Sequence, residues 1–231
     1  MIIVRNESLI KRNARIAQIS SMIALAVLAG GMFISFRYPE QAALSLGALL
    51  VGFLLFQVST YFMNRFGRHP RPDEHIDLGL KGMDKKYSLY HYSSPIAHLL
   101  IGPAGVWILQ PYNLRGSISY SKGRWRHQGG NIFLKLFGQE NIGRPDLEII
   151  SDAEKLEGFF KKHMQEDDIP EIQAALVFTH PEVQINISED ESPPAETIPL
   201  KKLKDTIRKS AKGKSLSLEK VDQMREILGG D

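Results

Sequence analysis

Two long uncharged stretches near the N-terminus constrain what this chain can fold into more than any other feature. Residues 16–36 contain 21 residues without a charged side chain, and residues 42–63 contain 22. Because about 20 apolar residues in a helix span the ~30 Å hydrocarbon core of a bilayer, each stretch is long enough to cross it once. Only five residues separate the two stretches. The sequence therefore predicts two antiparallel transmembrane helices that enter and leave on the same side.

Basic side chains flank the two stretches unevenly. Residues 1–72 carry eight Lys and Arg against two acidic residues, whereas residues 73–231 carry 21 against 24. Of the eight, only Arg37 lies in the connecting loop, and the other seven precede the first stretch or follow the second. Cytoplasmic flanks are enriched in Lys and Arg. The pattern predicts an integral cell-membrane protein with both termini and the following domain in the cytoplasm.

A cleaved signal peptide is the competing interpretation of the first stretch, because it too follows basic residues. Its apolar core is longer than the usual length of about 7 to 15 residues, and no small-residue cleavage site follows before Arg37. We therefore expect a membrane anchor over residues 1–72, with spans at about 16–36 and 42–63, and a soluble domain over residues 73–231.

The soluble domain alternates between helix and strand patterns. Asp73 is a plausible N-cap for an opening helix, and an unbroken apolar run at 172–179 suits a strand buried on both faces. Residues 182–194 are acidic and contain proline, which predicts a flexible surface loop. These patterns predict an α/β domain with a mixed sheet flanked by helices. The expected elements are a helix at 73–86, strands at 87–92, 96–101, 106–110, 117–120 and 124–127, a helix at 146–166, a strand at 172–179, and helices at 200–212 and 217–228.

The most informative stretch of the soluble domain is residues 96–116, IAHLLIGPAGVWILQPYNLRG. It reads as two apolar strands joined by a Gly-Pro-Ala-Gly turn at 102–105, with a polar segment at the end. The stretch resembles the central hairpin of the nuclease-related domain (NERD) family, a branch of the PD-(D/E)xK nucleases. The order of predicted elements agrees with that family over about residues 73–180. The resemblance implies a restriction-endonuclease-like mixed sheet flanked by helices, here preceded by two transmembrane helices.

Three positions of the hairpin depart from the family pattern, in which Asp-His opens the first strand and Glu-x-Lys closes the second. Matched residue by residue, these become Ala97-His98 and Gln110-Pro111-Tyr112. Such nucleases use carboxylates to hold Mg²⁺, while the lysine helps position the attacking water. Alanine offers no ligand, glutamine offers only neutral dipoles, and a phenol is neutral at pH 7. The resemblance therefore implies a degenerate reaction centre at Ala97, Gln110 and Tyr112, no enzymatic activity and no cofactor.

One alternative is a membrane-bound, Mg²⁺-dependent nuclease with relocated acidic residues. Glu74, Asp77 and Asp84, all within the predicted opening helix, are the acids that could take this role. Glu74 and Asp77 also fit the solvent-exposed first turn of a helix, where acids are stabilised by the helix dipole. His98 could ligate a metal, but without a carboxylate beside it a structural strand histidine fits better.

A second alternative is nucleic-acid binding without cleavage. Residues 201–214 carry seven basic side chains and one acid, Asp205. A segment of this kind fits a nucleic-acid or anionic-lipid binding surface, or a solvated helix face. Its basic residues are Lys201, Lys202, Lys204, Arg208, Lys209, Lys212 and Lys214.

An apolar segment, two tryptophans and the lack of cysteine also bear on the function of the soluble domain. Residues 133–137, FLKLF, fit either an interface with a membrane or a partner protein, or core packing. Trp107 and Trp125 fall in strand patterns and are expected in the core. Without cysteine, disulfides and thiolate metal sites are excluded. The sequence thus predicts a membrane-anchored, catalytically inactive module that acts in binding or scaffolding at the cytoplasmic face, with the bilayer and an unidentified protein as partners.

Overall fold

A computed structural model of the protein describes residues 1–130, 142–188, 190–213 and 215–229. It divides into two compact units, one formed by Glu7–Arg71 and the other by Met1–Asn6 together with Pro72–Asp231. The first six residues therefore differ from the predicted anchor over 1–72. They join the α/β unit because the apolar run IIVR forms a strand. The segment 133–137 and Lys214 lie outside the described residues.

Two long helices make up the unit Glu7–Arg71. Helix α1 spans Glu7–Arg37, a short 3-10 helix spans Pro39–Gln41, α2 spans Ala42–Phe62, and a π-helical turn follows at Met63–Gly67. Both helices are long and apolar enough to cross a membrane, and their apolar windows have a mean hydropathy of 2.0. Only 11% and 17% of these windows is buried, whereas the core helix of a soluble protein is mostly buried.

Small residues spaced seven apart bring α1 and α2 together. The Ser59 hydroxyl donates to the Ala17 carbonyl oxygen at 2.8 Å, and the Ser45 hydroxyl donates to that of Gly31 at 3.2 Å. A Cβ on Gly31 would come within 2.9 Å of the Ala48 Cβ, so the helices approach too closely there for a larger residue. The buried small residues are Ala17, Ala24 and Gly31 on α1 and Ser45, Gly52 and Ser59 on α2.

Two sheets form in the other unit. Within the described residues the strands are β1 (Ile2–Arg5), β2 (Ser88–His91), β3 (His98–Gly102), β4 (Gly105–Tyr112), β5 (Gly116–Ser121), β6 (Arg124–Gln128), β7 (Ile172–Phe178), β8 (Val183–Ile187) and β9 (Glu196–Pro199). The larger sheet has the order β1-β2-β3-β4-β7-β9, in which only β3 runs antiparallel to its neighbours. The C-terminal ends of β1, β2, β4, β7 and β9 therefore meet the N-terminal end of β3. We call this edge the polar end of the sheet.

Helices cover both faces of the larger sheet. They are α3 (Pro72–Gly79), α4 (Pro145–Phe160), α5 (Leu200–Gly213) and α6 (Leu218–Ile227). Helices α3 and α5 pack on the face that carries Leu89 and Trp107, whereas α4 and α6 pack on the face that carries Leu99 and Ile108. The predicted mixed α/β class, with a sheet flanked by helices, is confirmed.

The smaller sheet has the order β6-β5-β8 and packs on a third apolar cluster. Its first strand starts at Gly116, where φ is +107° and a Cβ would lie 2.4 Å from the Gln128 carbonyl oxygen, so only glycine fits. The prediction of a flexible loop over residues 182–194 is wrong for residues 183–187, which form β8. Val183, Ile185 and Ile187 alternate towards the apolar cluster, and β8 pairs in parallel with β5.

The opening helix is shorter than its sequence pattern predicts. It ends at Gly79 rather than near residue 86, and Gly82 follows with a φ of +76°, a conformation that interrupts a helix. Pro72 takes its first position, so Asp73 lies inside the helix instead of capping it. Trp107 and Trp125 are buried, as expected.

Candidate functional site

Polar side chains of the α/β unit gather at the polar end of the sheet, in two groups. Because side chains alternate along a strand, Gln110 and Tyr112 of β4 face α4. Arg5, His91 and His98 of β1, β2 and β3 face α3 instead. In sheets of largely parallel strands, the carboxyl ends of the strands are where ligand sites form.

The three positions that the family resemblance selects share the α4 face. Ala97 directly precedes β3, and the pairing of Leu99 with Ile108 places it opposite Gln110. Tyr112 lies two residues beyond Gln110 on the same side of β4. The register thus brings together Ala97, Gln110 and Tyr112, the positions that the family resemblance selects.

Tyr112 is held by a carboxylate that the sequence pattern did not single out. Its hydroxyl donates to Glu148 Oε2 at 3.1 Å and lies 3.5 Å from Gln110 Oε1, while its ring stacks on Phe178. Burial raises the pKa of Tyr112 well above its usual value, and the negative charge of Glu148 raises it further. The phenol therefore stays protonated near pH 7. It donates a hydrogen bond, but it supplies neither the positive charge of a lysine nor a base.

On the α3 face, His91 and His98 form a buried pair. Their Nδ1 atoms lie 2.9 Å apart, and the residues are 0% and 5% exposed. His91 Nε2 lies 3.1 Å from Asp77 Oδ1. Since a carboxylate accepts, His91 donates from Nε2 to Asp77, and a hydrogen bond joins the two Nδ1 atoms. His98 thus has a specific partner in His91.

Arg5 extends this group from β1. Its Nε lies 3.0 Å from Asp73 Oδ2, and its guanidinium also donates to Asp77 Oδ2. The Asp73 side chain is fully buried, and burying an ionised carboxylate costs several kcal/mol unless a cation pairs with it. The expectation that Asp77 is a solvent-exposed helix acid is wrong, because an arginine distant in sequence pairs with it. We call Arg5, Asp73, Asp77, His91 and His98 the buried ionic network.

Arg5, His91 and Glu148 were not among the candidates predicted from the sequence. Arg5 counts as one more basic residue before a membrane span, although the β-branched run Ile2–Val4 that precedes it suits a strand. His91 and His98 flank the connection between two strands, so an antiparallel register already places them opposite each other. Glu148 is one of several acids on α4, and no local signal sets it apart.

The relocated carboxylates proposed from the sequence do not converge. Asp77 belongs to the buried ionic network at the polar end. Asp84 lies in the turn that precedes β2, at the other end of the sheet, where its Oδ1 accepts from the Lys86 backbone N–H at 3.0 Å. Glu74 is half-buried on α3. Within the described ranges, no group of three or more His, Asp or Glu side chains is arranged to hold a metal ion.

Helix α5 carries the basic segment. It begins directly after β9 at the polar end and runs to the other end of the sheet. Leu203 and Ile207 are buried against the sheet, and the basic side chains point away from it or along its edge. Lys204 Nζ donates to the Lys81 carbonyl oxygen at 2.8 Å, and Arg208 donates to that of Gly82 at 3.3 Å. The exposed basic residues of α5 are Lys201, Lys202, Arg208, Lys209 and Lys212.

No family model matches the chain, and neither a curated protein nor a solved structure matches it. The resemblance to the NERD family therefore rests on the residues of the hairpin and on the order of elements.

We predict that Arg5→Gln destabilises the α/β unit by about 3 kcal/mol, because the substitution leaves the buried Asp73 carboxylate without its cation. Thermal unfolding of the full chain in detergent, followed by circular dichroism, measures the change. Asp73→Asn in the same background should recover part of the loss, since it removes the buried charge.

Arg124→Gln is the matched control, because Arg124 is exposed on β6 and its loss should change stability by no more than about 0.5 kcal/mol. Equal effects of Arg5→Gln and Arg124→Gln would contradict a structural role for the buried ionic network.

Proposed function

We propose that the chain is a membrane-anchored binding module with a nuclease-like α/β domain that does not cleave phosphodiesters. The observation that carries the proposal is the composition of one face of the polar end. Ala97, Gln110 and Tyr112 share that face, and the Tyr112 hydroxyl donates to Glu148. Ala97, Gln110 and Tyr112 occupy the positions at which nucleases of the NERD family, which the hairpin resembles, carry two metal-binding acids and a lysine.

The chemistry of these side chains favours binding over hydrolysis. Mg²⁺ dehydrates reluctantly and takes anionic oxygens, which Ala97 and Gln110 do not offer. Tyr112 remains a neutral donor because burial and Glu148 raise its pKa. What the face does offer is an amide, a phenol and a carboxylate, groups that hold a polar ligand through hydrogen bonds.

Anchoring in a membrane is supported by α1 and α2. Each is long and apolar enough to span, and each is largely unburied within its own unit. A signal peptide explains at most the first helix. In a bilayer, apolar side chains gain nothing by moving from lipid to a helix interface, so helices associate through close packing. The small residues between α1 and α2 permit such packing.

The same proposal places the α/β unit on the cytoplasmic side. Seven of the eight Lys and Arg within residues 1–72 flank the outer ends of the two apolar stretches, and Arg37 alone lies between them. That asymmetry is the one by which cytoplasmic loops are recognised. The module would then act in binding or scaffolding at the cytoplasmic membrane face.

One observation favours a second candidate, a membrane-bound Mg²⁺-dependent nuclease with a relocated acid. Glu148 reaches this face of the polar end from α4, where its Oε2 accepts from the Tyr112 hydroxyl at 3.1 Å. A carboxylate there would supply one anionic ligand for a divalent cation. Glu148, rather than Glu74, Asp77 or Asp84, is therefore the acid on which this candidate depends.

A nuclease assay separates the two candidates. We expect the purified full chain to leave single-stranded and duplex DNA and RNA intact with Mg²⁺ or Mn²⁺, because the degenerate face lacks the ligands and the lysine. Gel electrophoresis of labelled substrates gives the readout.

Glu148→Gln and Glu154→Gln are the matched pair, since Glu154 is an exposed acid of the same helix. Metal-dependent cleavage that Glu148→Gln abolishes and Glu154→Gln leaves unchanged would overturn the proposal in favour of the relocated nuclease.

Because the chain has no cysteine, a single introduced cysteine shows on which side of the membrane its position lies. Gln41→Cys probes the connection between the spans, and Lys162→Cys probes an exposed site on the α/β unit. In sealed membrane vesicles of opposite orientation, an impermeant maleimide should label the first only from the non-cytoplasmic side and the second only from the cytoplasmic side. Labelling of both from one side, or release of the protein by alkaline carbonate, would contradict the anchor.

A further inference from the structure

Two segments far apart in the chain build one basic surface on the α/β unit. The contacts of Lys204 with the Lys81 carbonyl and of Arg208 with the Gly82 carbonyl fasten α5 to the turn that precedes β2. That turn carries three more lysines against one acid, Asp84. We call the combined surface the lysine patch. Its members are Lys81, Lys85, Lys86, Lys201, Lys202, Lys204, Arg208, Lys209 and Lys212.

The lysine patch holds cations that the rest of the unit does not neutralise. Lys201, Lys202 and Lys212 are exposed, and within the described part of the chain none of them forms an ion pair. Residues 73–231 as a whole carry more acids than bases, so the basic charge is segregated onto this surface. Segregated charge of one sign produces a local potential that attracts a partner of the opposite sign.

The composition of the lysine patch favours phosphates over a protein. Among the described residues, the exposed large apolar side chains include none from residues 81–86 or 200–213. Protein interfaces depend on buried apolar or aromatic anchors, which this surface does not present. A surface of cations without anchors suits the backbone of a nucleic acid, which binds through its phosphates.

The lysine patch extends along the α/β unit. Lys201 and Lys202 follow β9 directly, at the polar end. The turn before β2 and the C-terminal half of α5 lie at the other end of the sheet, where Ser210 contacts Gln173 at the start of β7.

We propose that the lysine patch binds the phosphate backbone of nucleic acid without reading its sequence and without cleaving it. The patch runs from Lys201 to Lys212, about 16 Å along the helix, and duplex DNA presents one charge per about 1.7 Å of its axis. Lys201, Lys202 and Lys212 supply free cations along that length. Since the patch presents no exposed aromatic ring for stacking on bases, recognition rests on phosphates alone. The inference rests on the proposed binding role and names its partner.

Fluorescence anisotropy tests the proposal with the full chain in nanodiscs of zwitterionic lipid. Two short labelled duplexes of unrelated sequence should bind with equal affinity. For about four neutralised phosphates, raising the salt from about 50 mM to about 200 mM should weaken binding by about a hundredfold. Binding that is absent at low salt, or that is insensitive to salt, would overturn the proposal.

The variant Lys201→Glu/Lys202→Glu/Lys212→Glu should bind at least about tenfold more weakly and show a shallower salt dependence, because phosphate contacts are lost. The matched control is Arg124→Glu/Arg126→Glu/Lys162→Glu, which makes the same change in net charge at exposed positions outside the patch. Lys201→Arg/Lys202→Arg/Lys212→Arg should bind as the unchanged protein does. An equal loss in the patch variant and the matched control would overturn the proposal, since net charge would then explain the binding.

Two further arms identify a different partner. A labelled poly-glutamate peptide that binds more tightly than the duplexes would overturn the proposal. Loss of duplex binding when the nanodisc contains anionic lipid would also overturn it. Cleavage is followed in the same samples. Metal-dependent cleavage would refute the non-catalytic function while leaving the test of the lysine patch intact, so the two failures are distinguishable.

Discussion

The ion pairs of Arg5 with Asp73 and Asp77 are the interaction on which the α/β unit depends most. They join segments 72 residues apart, and both apolar helices lie between those segments in the chain. Because the buried Asp73 carboxylate requires a cation, Arg5 on β1 stabilises the position of α3 on the sheet. His91 and His98 continue the contact across β2 and β3. One ionic network thus fixes the first three strands and the first helix of the unit.

This connection makes the two apolar helices an insertion into the α/β unit rather than a segment that precedes it. The chain completes β1 at Arg5, begins α1 at Glu7, and returns at Pro72 to start α3. An insertion of this kind requires that its two ends lie close together in the host domain. The ionic network meets that requirement at the polar end, which also carries Gln110 and Tyr112. The lysine patch extends from Lys201, next to β9 at the polar end, to the turn before β2 at the other end.

The sequence predicted those helices and strands that a pattern within their own residues specifies. The hairpin around Gly102–Gly105, the buried strand at 172–178 and the last two helices follow from alternation, turn residues and helical periodicity. Strands β1, β8 and β9 have four or five residues each, and their pairing with distant strands decides their structure. The positions of Ala97, Gln110 and Tyr112 followed from a motif. The partners of Asp77 and Tyr112 did not, because Arg5 and Glu148 reach them only through the tertiary fold.

The membership of the first six residues in the sheet is the central claim, and hydrogen exchange of the lipid-reconstituted full chain tests it most directly. The Ile2 and Asn6 backbone N–H groups donate to the Tyr87 and His91 carbonyl oxygens at 2.8 and 3.0 Å. These amides should exchange as slowly as the amides of the neighbouring β2, and Arg5→Gln should speed their exchange. Exchange at the rate of an unstructured N-terminal tail would contradict this claim, because it would mean that residues 2–5 do not form a strand of the sheet.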